Sequence, residues 1–231
     1  MNHIVCVKWG NKYVPEYVNI LKSMIQRHTS VPFQFNCFTE DSSRLDKDIN
    51  VIPFPSSSGI KSWWSKLAMF QPDIGIKGTI LYLDLDVIVF RNIDELFAYN
   101  PSKFMIIRDF NRCRVPDWKQ SNSSVMRWDT GTMNYLWDQF NEDPSKVIGR
   151  MHGDQDWIMR QAGKDINWWP DEWMRSYKWE MLGRKDTKIR KGTKYFFEHP
   201  PTIEKNTKIA VFHGEPKPFN CGDQFVIDNW Q

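Results

Sequence analysis

Short apolar runs and stretches with helical periodicity alternate along the N-terminal half of the chain. Residues 4–7 form an apolar, β-branched run that predicts a buried first strand. Apolar side chains then recur every three or four positions, which predicts an amphipathic helix over about 14–28. The same criteria predict strands over 33–38, 51–52 and 80–83, and a helix over 62–70. This alternation predicts an α/β fold with a mostly parallel central sheet and helices on both faces.

The C-terminal half is less regular, but it continues the same mixture of elements. Strands are predicted over 104–107 and 124–128, and helices over 132–140 and 154–161. No stretch rich in Pro, Gly or Ser divides the chain, and 231 residues suit one domain. We therefore expect a single domain spanning residues 1–231.

Composition and charge narrow the possible functions only slightly. A formal net charge of +3 does not by itself indicate a nucleic-acid-binding protein. The chain holds 12 Trp, 15 Phe and 7 Tyr, whose flat faces suit sugar rings and bases as well as a core. Residues 175–194 carry eight Lys and Arg against two acidic residues. That basic segment is expected to be a solvated loop, with a contact surface for an anionic acceptor or phosphates as the alternative.

Cysteine usage and apolar runs bear on the location of the protein. The four cysteines lack paired metal-ligand spacing and are expected to be buried free thiols. Residues 1–10 lack the features of a signal peptide. The longest apolar stretch, residues 80–90, is interrupted by two aspartates, so no transmembrane segment is predicted. These features predict a soluble, cytoplasmic protein.

The two aspartates in this apolar stretch are the clearest chemical signal in the sequence. Asp84 and Asp86 follow a strand that is expected to be buried on both faces, where carboxylates are costly unless they are neutralised. In extended backbone, residues two apart point the same way, so both carboxylates can converge on one hard cation. Ligands of open α/β sheets bind beyond the carboxyl ends of the strands. The alternative is a structural pair that caps a turn.

Two chemistries use this pair. In one, a divalent ion bridges the carboxylates and a nucleoside diphosphate-sugar, with water and phosphate oxygens completing its coordination. In the other, Asp84 is the nucleophile of a haloacid-dehalogenase-like phosphatase. Asp84-Leu85-Asp86-Val87 satisfies both patterns.

Other short motifs make the chain resemble the glycogenin and galactosyltransferase-like glycosyltransferases of the GT-A fold. Residues 81–97 are similar in nearly every position to that family's metal strand and following turn. The other matching segments, in the family's order, are Ser65-Lys66-Leu67, Asn122-Ser123-Ser124-Val125, Gly153-Asp154-Gln155, and Gly214-Glu215-Pro216-Lys217-Pro218-Phe219. The resemblance implies a GT-A domain with a nucleotide-binding half over 1–100 and an acceptor-side half over 101–231.

The resemblance also implies roles for individual residues. Val7, Trp9 and Tyr13 would hold the nucleotide, with Tyr13 stacked on the base or, alternatively, the first core position of the helix. Lys66 would contact the donor sugar or a phosphate, the alternative being a solvent-exposed lysine. Lys217, with Gly214, would bind the diphosphate, and the Lys217 charge would stabilise the leaving group. Asp154 and Gln155 would lie against the donor sugar, unless Asp154 is a plain helix N-cap. Asn122 and Ser123 would bind sugar hydroxyls or shape a turn.

The third metal ligand departs from the family's pattern. Val211 stands where the family has a histidine, and His213 lies two residues later. In extended backbone the two positions face the same way, so we expect His213 to complete the site formed by Asp84 and Asp86. An imidazole ligand favours Mn²⁺ over Mg²⁺.

The resulting hypothesis is a metal-dependent, retaining hexosyltransferase that uses a UDP-sugar and Mn²⁺ or Mg²⁺. The alternatives are the phosphatase and a non-catalytic carbohydrate-binding protein on the same fold. The acceptor stays open among a polysaccharide, a lipid-linked sugar, a protein and a modified nucleic-acid base.

Overall fold

The fold is built around a seven-stranded sheet, as seen in a computed structural model that describes residues 1–55, 62–183, 188–192 and 194–231. For residues 188–191 the backbone alone is described. The strands are β1 Asn2–Val7, β2 Phe33–Phe38, β3 Asn50–Ile52, β4 Thr79–Leu83, β5 Val87–Val89, β6 Phe104–Arg108, β7 Ser121–Asp129, β8 Ile166–Trp168, β9 Met174–Ser176, β10 Lys188–Lys191, β11 Lys194–Phe197 and β12 Ile209–Val211. The α-helices are α1 Glu16–His28, α2 Glu95–Ala98, α3 Tyr135–Glu142, α4 Pro144–Ile148, α5 Asp154–Ala162 and α6 Gln224–Asn229.

Tighter and wider turns complete the described elements. The predicted helix over 62–70 is a 3₁₀-helix, Ser62–Phe70. Three shorter 3₁₀ segments are Phe110–Cys113, Gly163–Asp165 and Pro218–Asn220, and Tyr177–Met181 forms one π-helical turn. The predicted helix over 132–140 begins later, at Tyr135.

The central sheet is mostly parallel, as expected. Its strand order is β3-β2-β1-β4-β7-β6-β8. The pairs β1–β2, β1–β4, β2–β3 and β6–β8 are parallel, whereas β7 runs antiparallel to both β4 and β6. The strand containing the acidic pair therefore has one parallel and one antiparallel neighbour.

Both faces of the sheet are covered, which explains the continuous apolar strands. Ile4 and Cys6 of β1 pack in one core cluster with α1, whereas Val5 and Val7 pack in the other with the 3₁₀-helix. Alternate residues of a strand point to opposite faces, so a strand inside two layers must be apolar at every position. The predicted arrangement of helices on both faces is confirmed.

A smaller sheet, with strand order β5-β12-β9, extends the end of β4. β5 follows Asp86 directly and pairs antiparallel with β12. β12 pairs in parallel with β9. This sheet brings the C-terminal part of the chain to the acidic pair.

The basic segment over 175–194 differs from the expected solvated loop wherever it is described. It includes part of β9, the π-helical turn and the hairpin of β10 with β11. Tyr177 and Met181 are buried, and the Tyr177 ring stacks on Phe212 at 4.2 Å. Apolar anchors between the charges therefore fix this segment to the core. Arg184 and Lys185 of the predicted segment lie outside the described residues.

Three of the predicted buried thiols, Cys6, Cys37 and Cys221, are buried and free. Cys113 is exposed, contrary to the expectation of burial. In the described part of the chain, no helix has the length and apolarity needed to cross a membrane.

Candidate active site

The acidic pair lies at the carboxyl end of β4, where the sequence predicts it. The Asp84 N–H donates to the Ser124 carbonyl of β7 at 2.8 Å. The Asp86 carbonyl accepts from the Phe212 N–H, just after β12, at 3.1 Å. The backbone of each aspartate is thus fixed by a different neighbouring strand, which limits the movement of both carboxylates.

Lys66 forms the centre of a buried polar cluster beside Asp84. Its ammonium lies 3.0 Å from Asp84 Oδ1 and 3.2 Å from Asp154 Oδ2, and it donates to Ser123 Oγ at 3.1 Å. Ser123 Oγ in turn donates to Asp154 Oδ2 at 3.0 Å. Lys66 is only 8% exposed, so the alternative of a solvent-exposed lysine is wrong.

Electrostatics keep Lys66 and Asp84 ionised. Burial alone lowers the pKa of Lys66, but the charges of Asp154 and Asp84 outweigh it, and the pKa lies above its ordinary value. Burial raises the pKa of Asp84, yet the Lys66 charge and hydrogen bonds from Tyr82 and Ser124 bring it below the ordinary value. A fixed ammonium therefore sits between two carboxylates.

Asp86 has a separate set of partners. Tyr13 Oη donates to Asp86 Oδ2 at 2.8 Å, and the Lys217 ammonium contacts the same oxygen. Burial and the nearby charge of Asp84 raise the pKa of Asp86, and Lys217 offsets only part of that rise. Burial and Asp86 also raise the pKa of Tyr13, so its phenol stays protonated and donates. The charged form of Asp86 is thus less well compensated than that of Asp84.

A cavity of about 120 Å³ opens beside the pair. The predicted residues Val7, Trp9, Tyr13, Lys66, Asp84 and Asp86 line it. Tyr13 precedes α1, which begins at Glu16, so Tyr13 is not the first core position of that helix. The structure therefore brings these six predicted residues together around one space.

Other lining residues were not predicted, namely Lys12, Trp63, Tyr82 and Leu85. Tyr82 donates to Asp84 Oδ1, and the Lys66 ammonium lies 5.1 Å from its ring centroid. Its position two residues before Asp84 carries a signal, because alternate residues of a strand share a face. Tyr82 was not predicted as a site residue because it lies within an apolar run.

The residues predicted to face the donor sugar border the Lys66 cluster. Gly153 is the N-cap of α5, and the carboxylate of Asp154 contacts Lys66 and Ser123, so the interpretation of Asp154 as a plain N-cap is wrong. Gln155 Oε1 accepts from the Ser123 N–H at 3.2 Å. Asn122 Oδ1 accepts from the Ser124 N–H at 3.0 Å, a local bond that shapes the strand.

His213 lies close to the site but has other partners. Its Nε2 is 2.7 Å from Ser176 Oγ, and its ring stacks on Phe110 with centroids 5.5 Å apart. Burial, Lys178 and Lys217 lower the pKa of His213 to about 4. Among the described residues, no group of three or more His, Cys, Asp and Glu is arranged to hold a metal ion. The structure therefore groups Asp84 and Asp86 without His213.

Gly214 and Lys217 turn the chain back into the site after His213. Gly214 has φ +71°, and a Cβ there would lie 3.0 Å from the Lys178 ammonium. Glycine adopts this conformation without strain, and its lack of a side chain leaves room for the Lys178 ammonium. The Lys217 N–H bonds Asn220 Oδ1 at 2.7 Å, which fixes the backbone from which Lys217 reaches Asp86.

Comparison with known proteins matches the chain to solved structures, whereas no family model and no curated sequence matches it. Glycosyltransferase GlyE of Streptococcus pneumoniae has a TM-score of 0.66 at 14% identity, over 95% of this chain and 57% of that one. The chain thus spans little more than half the length of GlyE. Galactosyltransferase LgtC, solved with donor and acceptor sugar analogues, has a TM-score of 0.63 at 14% identity, over 98% of this chain and 94% of that one. Mouse xyloside xylosyltransferase 1 has a TM-score of 0.54 at 19% identity, over 93% of this chain and 98% of that one.

The chain has the GT-A fold. The fold implied by the sequence motifs is confirmed, since these neighbours are GT-A glycosyltransferases. At these identities the likeness shows the GT-A fold alone. It does not assign roles to individual residues, which depend on the chemistry of the site.

Proposed function

We propose that the protein is a glycosyltransferase that transfers a hexose from a nucleoside diphosphate-sugar to an acceptor. The proposed donor is a UDP-hexose. The observation that carries the proposal is the pair Asp84 and Asp86 at the end of β4, with Lys66 on one side and Lys217 on the other. Two carboxylates that line one cavity, each paired with an ammonium group, suit a ligand that brings both a cation and phosphates. We further propose that residues 1–231 form one domain.

The donor would lie across the cavity from its nucleotide end to its sugar end. Val7, Trp9 and Tyr13 provide one wall, which suits the base and ribose. Lys217 and Gly214 would bind the diphosphate, and Lys66 would help to hold its sugar-side end. Asp154, Gln155, Ser123 and Asn122 would face the sugar. In this arrangement the 1–100 half binds the nucleotide, and the 101–231 half contributes the sugar and acceptor side.

The residues present fit a hard divalent cation. Asp84 and Asp86 supply anionic oxygens from one strand end, and such ions commonly bind through one or two carboxylates. His213 is the candidate third ligand. Since Ser176 engages Nε2, Nδ1 would be the nitrogen left to bind a metal ion, and the low pKa keeps the imidazole neutral, as a ligand must be. Bound Mn²⁺ or Mg²⁺ would neutralise charge on the departing diphosphate.

Lys217 and the Lys66 cluster have distinct tasks in the proposed reaction. Lys217 would donate hydrogen bonds to the diphosphate oxygens as their negative charge grows, which is transition-state stabilisation. Lys66 holds Asp154 and Asp84 in fixed positions, so the sugar-facing carboxylate is preorganised. Retention of anomeric configuration is proposed from the family resemblance.

The phosphatase alternative fits the site less well. It needs Asp84 as an attacking nucleophile near the start of the fold, whereas Asp84 follows the fourth strand and is ion-paired to Lys66. A non-catalytic carbohydrate-binding protein on this fold would have no need of buried carboxylates and lysines suited to a diphosphate. Burying these charges is costly, and retaining them without a ligand has no evident benefit.

The acceptor and the location are proposed more broadly. A polysaccharide, a lipid-linked sugar, a protein and a modified nucleic-acid base each remain candidates for the acceptor. A cytoplasmic location is proposed because Cys6, Cys37 and Cys221 are free, as thiols are in reducing compartments.

The test is a donor screen that measures nucleoside diphosphate release from UDP- and GDP-sugars, with and without MnCl₂. The proposal expects Mn²⁺-stimulated release of UDP from one donor, with transfer to an added acceptor detected by mass analysis. Hydrolysis of a simple phosphomonoester with no nucleotide release would favour the phosphatase. Binding of sugars without any turnover would favour the carbohydrate-binding protein.

A further inference from the structure

Trp63 is an exposed aromatic residue beside the charged residues of the site. It lines the cavity with Lys66, Asp84 and Asp86, and it is 48% exposed. The adjacent Trp64 is 5% exposed and stacks on Phe140 at 5.6 Å. Trp64 therefore anchors the 3₁₀-helix in the core, and core packing does not explain the position of Trp63.

The helix places Trp63 directly outside the Lys66 cluster. In a 3₁₀-helix, side chains three residues apart lie on the same face, about 6 Å apart along the axis. Trp63 is therefore one turn away from Lys66, whose ammonium contacts Asp84 and Asp154. The indole therefore lies on the face of the helix that carries Lys66.

Gly153 supports the indole from the other side. A Cβ built on Gly153 would lie 3.3 Å from Trp63 Nε1 and 3.4 Å from Cδ1, so the indole edge lies against this backbone. Gly153 immediately precedes Asp154 and Gln155, the proposed sugar-facing residues. The glycine thus lets the indole approach the start of α5 closely.

Trp63 lies one helical turn from Lys66 and against the start of α5. Val7, Trp9 and Tyr13 line the same cavity from β1 and the segment that follows it. A flat, half-exposed indole beside fixed carboxylate and hydroxyl groups offers an apolar face together with hydrogen-bond partners. These two features complement a pyranose, which has C–H groups on its faces and hydroxyls at its edge.

We infer that Trp63 is the platform on which the hexose ring of the donor packs, and that it sets the preference of the site for the sugar part of the donor. This inference rests on the proposed function. It assigns the indole to the donor sugar, not to the base and not to the acceptor.

The test compares the affinities for UDP and for the intact UDP-sugar in the presence of MnCl₂, by titration calorimetry. The donor is whichever of UDP-glucose, UDP-galactose and UDP-N-acetylglucosamine gives the fastest UDP release. Trp63→Ala is expected to weaken UDP-sugar binding about tenfold, the loss of one well-packed aromatic contact, and to leave UDP binding unchanged. Trp63→Phe, which keeps a smaller ring, is expected to fall between the wild type and Trp63→Ala.

Two further variants sharpen the assignment. Gly153→Ala places a methyl group against the indole and is expected to weaken UDP-sugar binding while sparing UDP. Tyr99→Ala removes an aromatic side chain that is 36% exposed and does not line the cavity, and it is expected to change neither affinity. Thermal melting of each variant checks that it folds.

Three results would overturn the inference. Equal weakening of UDP and UDP-sugar binding would assign the indole to the nucleotide. A raised KM for the acceptor with unchanged donor affinity would assign the indole to the acceptor. Unchanged kinetics and unchanged affinity would show that Trp63 does not contribute to donor binding. If the wild type binds neither UDP nor any UDP-sugar, the proposed function itself fails, a result that the variants cannot imitate.

Discussion

Lys66 and Lys217 give each aspartate of the pair its own ammonium partner, yet the two carboxylates are not equivalent. The pKa of Asp84 lies below its ordinary value because Lys66 and hydrogen bonds outweigh burial. The pKa of Asp86 lies above it because burial and the charge of Asp84 outweigh Lys217. The ionised form of Asp86 would therefore gain more than that of Asp84 from an additional cation.

Lys217 is expected to act mainly on the rate of the reaction. Lys217→Ala should lower kcat by about 10²–10³, because the charge that grows on the leaving diphosphate loses a preorganised partner. The measurement is steady-state UDP release from the donor. Lys208→Ala is the matched control, since the Lys208 ammonium pairs with Glu95 at 2.6 Å, whereas that of Lys217 pairs with Asp86. A fall no larger than that of the control would contradict the assigned role.

His213 is expected to act through the metal ion. At pH 7 its imidazole is neutral, because burial and nearby lysines lower its pKa to about 4. His213→Ala should raise the Mn²⁺ concentration that gives half-maximal activity by about tenfold or more. His28→Ala, at the end of α1, is the control. An unchanged metal requirement would remove His213 from the proposed ligand set.

At the scale of elements, the strands that support the site were easier to predict than the contacts between them. The bounds of β2 are those that the sequence predicts, because residues 33–38 alternate aromatic and polar side chains with the period of a strand. The antiparallel insertion of β7 between β4 and β6 was not predicted, since periodicity does not encode a strand's neighbours. Burial of Lys66 depends on Asp154 and Ser123, which are distant in sequence, so no local pattern reveals it.

Asp94 connects two elements behind the site. Its carboxylate accepts from the Ser30 N–H at 2.9 Å and Ser30 Oγ at 2.6 Å, and it contacts the Thr29 hydroxyl. These bonds tie the segment after α1 to the start of α2. Burial alone raises the pKa of Asp94, but the hydrogen bonds from Ser30, Thr29 and Asn92 outweigh it and bring the pKa well below its ordinary value.

Asp94→Asn is expected to lower the free energy of unfolding at pH 7 by about 1 kcal/mol, because charge-assisted hydrogen bonds are lost. A depressed carboxyl pKa contributes stability above the unfolded-state pKa of about 3.9, and that stability is lost as pH falls towards the folded-state pKa. The difference between wild type and variant should therefore shrink below about pH 4. Urea unfolding across this range measures it, and a difference independent of pH would contradict this explanation.

At the scale of the whole molecule, the fold brings the two halves of the sequence to one edge of the sheet. The acidic pair could be predicted because it follows a buried apolar strand, but residues 85–86 form a turn and not the extended backbone that the i, i+2 argument assumed. Trp63 could not be predicted, since the sequence does not show which of two adjacent tryptophans is exposed and which is buried. Lys217 reaches Asp86 only because β12 pairs with β5 and returns the C-terminal segment to the strand end. Pairings of this kind depend on the complete fold.

The central claim is that Asp84 and Asp86 hold the donor diphosphate through a divalent cation. The most direct measurement is calorimetric titration of UDP, or of GDP if the donor screen selects it, with and without MnCl₂. The account predicts that Mn²⁺ tightens binding to the wild type by at least about tenfold, or 1.4 kcal/mol. Asp84→Asn and Asp86→Asn should lose this gain, whereas Asp73→Asn, in an exposed turn, should keep it. Nucleotide affinity that does not depend on Mn²⁺ in the wild type, or a full gain in either pair variant, would contradict the claim.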